Sequence, residues 1–153
     1  MQRKPSRRTG NDPIEFQILN EIGIIDQLAQ NRTARLLSPE LNMSQFIVLN
    51  HFTRLGGNRS LMELAGAMQV TKGAMSNTVA RLLDKRLIAV KPDPRDGRGK
   101  IVSLTPAGRI ARNRAVGRLA RGLAGLDAVL SAGELASALG MLCRLRVWFD
   151  LNR

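Results

Sequence analysis

Three stretches follow one another within residues 60–105: Ser60-Leu61-Met62-Glu63-Leu64-Ala65, then Thr71-Lys72-Gly73-Ala74-Met75-Ser76-Asn77-Thr78-Val79-Ala80-Arg81-Leu82, then Asp93-Pro94-Arg95-Asp96-Gly97-Arg98-Gly99-Lys100. Ser60 with Glu63 three residues on is a capping box. The hydroxyl accepts an orphan N–H at the helix start, and the carboxylate reaches back to the Ser60 N–H. The helix it opens carries Leu61, Leu64, Ala65 and Met68 on one face. Thr71 is the next N-cap and predicts a second helix to about Arg86. That helix sorts its residues by face. Met75, Val79, Leu82 and Leu83 form an inward stripe at helical spacing. Lys72, Gly73, Ser76, Asn77, Ala80 and Arg81 form the opposite stripe, and the only acid, Asp84, comes near the end. An ordinary solvated face usually shows Glu and Lys. Here small residues permit close approach to a duplex, and Ser, Asn and Arg can bond base edges or phosphates.

Leu87-Ile88-Ala89-Val90-Lys91 and Ile101-Val102-Ser103-Leu104-Thr105 are β-prone runs. Pro92, Pro94, Gly97 and Gly99 punctuate a hairpin loop between them. The loop holds Arg95, Arg98 and Lys100. A tip of this kind can place an Arg in a minor groove, where negative potential concentrates. Helix, helix, strand, cationic loop, strand is the order of a winged helix-turn-helix.

Composition agrees. The chain has 153 residues, with 24 Lys and Arg against 12 acids, a formal charge of +12. That balance implies an anionic partner, nucleic acid before membrane surface. Aromatics are 3%, with no Tyr, which argues against base-stacking platforms for single strands or RNA. No apolar run is long enough to span a bilayer. Met1 to Gly10 is basic and polar, unlike a signal peptide. A single Cys excludes an intrachain disulfide and suits a reducing cytoplasm.

Residues 1–11, with Arg3, Lys4, Arg7 and Arg8, read as a flexible basic arm. Residues 12–153 read as one domain. Asp12 as N-cap and Pro13 at the first helical position start a helix to about Leu37. Its stripe of Ile14, Ile18, Leu19, Ile22, Ile25, Leu28 and Ala29 needs a partner, and the expected one is the same helix bundle in a second subunit. Asn42 with Gln45 is another capping-box pattern, followed by Phe46, Leu49, Phe52 and Thr53 at helical spacing. Residues 54–59 form a turn around Gly56-Gly57. Pro106 opens an Arg-rich helix (Arg109, Arg112, Arg114, Arg118, Arg121) whose apolar face is Ile110, Val116, Leu119, Leu123 and Leu126. Most of these arginines are expected in solvent or paired across a dimer with Glu15, Glu21 or Asp26. Ser131 with Glu134 caps a final helix striped by Leu135, Leu139, Leu142, Leu145, Val147 and Trp148.

Catalytic chemistry is missing from the pattern. No nucleophile–base set, metal-ligand cluster or phosphate-cradling Gly loop is recognisable, so no catalytic residue, metal or cofactor is expected. His51 reads as a structural histidine. Cys143, between Leu142 and Arg144, reads as a packed dimer-core thiol, with a redox sensor as the alternative.

From about Leu41 to Gly108 the sequence resembles the MarR-type transcriptional regulators. The carriers are Leu41-Asn42-Met43-Ser44-Gln45-Phe46, Leu64-Ala65 and Val79-Ala80-Arg81-Leu82. The most specific is Asp93-Pro94-Arg95-Asp96-Gly97-Arg98 followed by Val102-Ser103-Leu104-Thr105-Pro106-Ala107-Gly108. The resemblance implies a mainly α fold with a β-hairpin wing. It implies a DNA-binding core over 42–105 and dimerisation helices over 12–37 and 106–151. It implies that Arg98 enters the minor groove and that Asp96 orients it. Repression relieved by a small phenolic or anionic effector, bound between the dimer helices and the winged domain, is also implied. Three departures stand out. Gln69 and Arg86 occupy positions where the family often has Gly; if either is left-handed, the non-Gly residue costs about 1–2 kcal/mol. Asn77 stands where many members carry a long side chain.

The expectation is a cytoplasmic homodimer binding double-stranded DNA at a pseudo-palindromic operator. Lys72, Gly73, Ser76, Asn77 and Arg81 serve the major groove, and Arg95, Arg98 and Lys100 the wing. Thr71, Lys85, Arg86 and Lys91 hold phosphates. The rivals are a sequence-independent architectural DNA binder, a redox-sensing regulator through Cys143, and an enzyme or metal protein.

Overall fold

The computed structural model describes residues 12–94 and 96–152, the side chain of Arg98 excepted. The arm at 1–11 and Arg95 lie outside the described residues, as does the Arg98 side chain. The elements are α1 (Ile14–Leu37), α2 (Met43–Leu55), β1 (Arg59–Ser60), α3 (Leu61–Met68), α4 (Lys72–Asp84), β2 (Ile88–Asp93), β3 (Asp96–Leu104), α5 (Pro106–Gly122) and α6 (Ala132–Leu151). The fold is mainly helical with a small antiparallel sheet ordered β1-β3-β2.

Short-range chemistry sets the helix starts. Gln45 N–H donates to Asn42 Oδ1 at 2.9 Å, and Asn42 N–H to Gln45 Oε1 at 3.2 Å. Ser60 and Glu63 close the same reciprocal box at 3.2 and 2.6 Å, and Ser131 with Glu134 at 3.3 and 2.8 Å. Thr71 caps α4 through the Ala74 N–H, and Thr105 caps α5 through the Gly108 N–H, with Pro106 first in the helix. The start of α1 differs from expectation. Pro13 itself is extended (φ −53, ψ 140) and occupies the cap position without a side-chain bond. Asp12 is therefore one residue too early to cap, and its carbonyl accepts from Gln17 Nε2 instead.

The sheet is larger than the sequence implies. Gly56 and Gly57, at φ 63 and 70, make the expected turn. The chain then re-enters the sheet at once, with Arg59 opposite Val102 and Ser60 opposite Ile101. The hairpin strands run on past the expected Lys91 and begin before Ile101, and the ladder closes where Asp93 faces Asp96. Pro92 fits because β2 is an edge strand with an irregularity between Pro92 and Asp93, where a missing N–H is tolerated.

The core gathers Val48, Leu49 and Phe52 of α2, Leu64 of α3, Met75, Val79 and Leu82 of α4, Ile88 and Val102 of the hairpin, and Ala111 and Ala115 of α5. The small residues let α5 lie close. At Gly108 a Cβ would run into the Leu87 carbonyl oxygen, so the helix start is pressed onto the entry to β2. Two expected faces shift. Leu83 is exposed, and α5 buries its alanines while Ile110 and Leu123 stay exposed. Two α5 arginines also turn inward. Arg112 donates to Asn50 Oδ1 from Nε and Nη2 at 3.0 and 2.7 Å, and Arg118 reaches the end of α1.

The outer helices are left uncovered. Only Leu37 of α1 is buried and no residue of α6. Leu28 is 76% exposed and Trp148 57%. No helix among the described residues is long and apolar enough to cross a membrane.

Candidate nucleic-acid interface

The link between α3 and α4 turns on Gln69, which is left-handed at φ 50. Val70 N–H then bonds back to the Ala65 carbonyl, closing the end of α3. Thr71 restarts the chain as the cap of α4. Met75, Val79 and Leu82 anchor that helix in the core, which aims its opposite face outward. Lys72, Gly73, Asn77, Ala80 and Arg81 are exposed there, and Ser76 is half-buried beside them. Two faces are thus set by one periodicity, and the outward one carries two cations and an amide with no acid until Asp84.

The exit from α4 is a second left-handed residue, Arg86, at φ 57. Its N–H donates to the Leu83 carbonyl, and its own carbonyl accepts from Thr105 Oγ1 at 2.9 Å. Because the same hydroxyl caps α5, the start of the wing and the start of α5 are pinned together. Along the hairpin Val90 faces Val102 and Pro92 faces Lys100, while Lys91 faces Ile101. Alternation therefore puts Lys100 on the sheet face toward α4, where it shares a small cleft with Ser76, and Lys91 on the opposite face. Asp96 is the first residue of β3, opposite Asp93.

Lys85, one of the expected phosphate contacts, is engaged by the protein itself. The residue stays exposed, but its ammonium folds back onto the chain, donating to the Glu40 carbonyl at 2.7 Å and Gln45 Oε1 at 3.0 Å. Glu40 in turn pairs through its carboxylate with Arg118 at 2.9 Å. Sequence reasoning missed Glu40, Gln45, Asn50, Arg112 and Arg118 as a polar framework behind α4. Each bond joins residues 40 or more positions apart, and no local pattern marks such pairs.

His51 lies half-buried on α2, edge-on to Phe52, and its Nε2 is buried without a hydrogen-bond partner. Burial first, then the charges of Arg59 and Arg54, hold its pKa below the ordinary 6.5. Among the described residues no group of His, Cys, Asp and Glu is arranged to hold a metal. A cleft of about 500 Å³ lies between the end of α1, the start of α2 and the C-terminal half of α4, lined by Pro39, Asn42, Arg81 and Lys85 among others.

Residues 40–99 match the sequence profile of the MarR family. No curated protein matches the chain. The fold is similar to that of apo MarR from E. coli, at 24% identity and a TM-score of 0.72 over 90% of this chain and 98% of that one. A mutant E. coli MarR complexed with operator DNA is 25% identical, with a TM-score of 0.66 over 84% of this chain and 93% of that one. The PcaV transcriptional regulator of Streptomyces coelicolor, in complex with its natural ligand, is 22% identical, with a TM-score of 0.65 over 90% and 97%.

Proposed function

We propose that this chain, whose residues 40–99 match the MarR family profile and whose fold is similar to that of MarR, is a MarR-type transcriptional regulator that binds double-stranded DNA sequence-specifically, as a homodimer, at a pseudo-palindromic operator. The observation that carries the reading is the outward face of α4. Lys72, Asn77 and Arg81 stand exposed on one side of a helix whose other side is locked into the core. The helix enters the major groove, where Asn77 and Arg81 meet base edges or phosphates. The β2–β3 hairpin follows the backbone to the adjacent minor groove, with Arg98 as the residue that enters it and Asp96 orienting it. Lys91, Lys100 and Arg86 supply phosphate charge.

Dimerisation is the second part of the proposal. Large apolar residues stay exposed along both α1 and α6, among them Ile25, Leu28, Leu139 and Trp148, and contiguous exposed apolar surface of this kind marks an interaction site. Ile18 and Leu19 of α1 and Leu142, Trp148 and Phe149 of α6 border one apolar cleft of about 770 Å³. A second copy of both helices would cover it and hold two α4 helices at a fixed separation. The third part is repression relieved by a small phenolic or anionic ligand. The complexes of two similar proteins, one with operator DNA and one with its natural ligand, support DNA binding and ligand binding as its elements. The cleft beside Arg81, at the junction of α1 with the winged core, is a place where binding would bear on the recognition helix.

Selection of bound duplexes from a random pool tests the reading. The expected product is a two-fold symmetric consensus bound about 10³-fold or more tighter than shuffled sequence at the same salt. Equal affinity for every duplex would instead make the chain an architectural binder.

A further inference from the structure

We propose that Lys85, Glu40 and Arg118 form a strut that sets the pose of the recognition helix against the dimerisation helices. Lys85 is then a positioning residue for operator recognition, not a phosphate contact. The inference rests on the dimeric operator-binding reading above.

The strut starts at the C-cap of α4, where Lys85 follows the last helical residue. Its ammonium meets two acceptors at 2.7 and 3.0 Å. One of them, Gln45 Oε1, is held in place by the capping box, since it also accepts the Asn42 N–H, and Gln45 is only 3% exposed. The other is the carbonyl of Glu40, in the link between α1 and α2. The Glu40 side chain continues the connection to Arg118 Nη1 at 2.9 Å. Arg118 Nε then donates to the Leu36 carbonyl at 2.8 Å, and Nη2 points to the Leu37 carbonyl at 3.4 Å. These are the last residues of α1, whose carbonyls have no partner within the helix. One short link thus ties four elements: α1 and α5 on the dimer side, α2, and the end of α4.

The lever arm makes this matter. α4 has 13 residues, a length of ~20 Å. A tilt of about 10° at the Lys85 end would carry Lys72 by about 3 Å, close to the 3.4 Å step of a DNA strand. In a dimer both helices would move, so a loose strut would blur the register between half-sites. A cation at the C-terminus of α4 also sits where the helix dipole favours it, so the folded-back pose is electrostatically supported.

The test uses the full chain, the selected operator, and the same operator with one or two base pairs added or removed between half-sites. Affinities are measured across salt for the parent and for Lys85→Met, Glu40→Gln and Lys85→Arg. The parent should prefer its cognate spacing by tenfold or more. Lys85→Met and Glu40→Gln should compress that preference to threefold or less, with the salt slope within half a unit of the parent. Lys85→Arg, which can still reach both acceptors, should restore it. Variants with lowered Tm but the parent's spacing preference would overturn the strut and leave a merely structural role. A salt slope lower by about two units per dimer in Lys85→Met, with the preference intact, would also overturn it and return Lys85 to the phosphates. A parent without any spacing preference would instead refute the dimeric reading on which the strut rests.

Discussion

Arg86→Gly should make the protein more stable and a weaker DNA binder at once. Arg86 sits at φ 57, and among the described residues its bonds at the left-handed turn run through its backbone, from its N–H to Leu83 and to its carbonyl from Thr105. Holding a residue with a Cβ in that region costs roughly 1–2 kcal/mol. Glycine removes the cost, but its greater freedom in the unfolded chain takes back roughly 0.5–1 kcal/mol. The net gain spans about 0–1.5 kcal/mol, with a midpoint of about 0.7 kcal/mol. For a chain of this size the midpoint is roughly 1–3 °C in Tm. Thermal unfolding at one fixed protein concentration reads it, because the midpoint of an oligomer moves with concentration. Arg86→Ala is the control: it removes the same cation but keeps the strain. The two variants should lose operator affinity alike, while only the glycine variant gains stability. Gln69→Gly, at φ 50, should repeat the gain without the DNA defect. If Arg86→Gly unfolds no higher than Arg86→Ala, the strain argument is wrong at this turn.

Further expectations concern single side chains. Asn77→Ala should cost about 1–3 kcal/mol on the selected operator and relax preference at one position per half-site; uniform weakening on all duplexes would mean that Asn77 touches only phosphate. Arg98→Ala should weaken operator binding and lower the salt slope by about one unit per wing, with Tm nearly unchanged; Arg98→Lys should recover part, since an ammonium lacks the planar fork. His51 has its pKa lowered in the fold by burial and by Arg59 and Arg54. The unfolded chain therefore takes up that proton first, and stability should fall as pH drops through the ordinary His range. Measured between pH 7.5 and 5.5, the decline should be shallower in His51→Gln; an identical decline would acquit His51.

Much of the fold was legible because its signals are short-range. The boxes at Asn42, Ser60 and Ser131 each join residues three apart, and all three close as the residue types require. The inward stripe of α4 followed from periodicity alone, apart from Leu83, which the end of the helix leaves exposed. The reach of the wing did not follow. Pro92, Gly97 and Gly99 read as loop, yet Pro92 pairs with Lys100 and Asp93 with Asp96, because the edge strand β2 admits a proline and the register shift between Pro92 and Asp93 takes up residues 97–99 of β3. β1 was invisible because two residues, Arg59 and Ser60, have no pattern of their own and exist as a strand only through Val102 and Ile101. The turn of Arg112, Arg118 and Lys85 back onto the chain was hidden for a related reason. A cation on a helix surface looks the same in sequence whether it meets water, phosphate or a carbonyl some 80 residues away.

The central claim is that two copies of this chain hold one duplex through two recognition helices. The most direct measurement is the mass of the complex formed on a single selected operator, taken together with a cleavage footprint of that complex. Two chains per duplex are predicted, with two protected half-sites about one helical turn apart on the same side of the DNA. One chain per duplex, or loading that grows steadily with duplex length and leaves no paired footprint, would contradict the account.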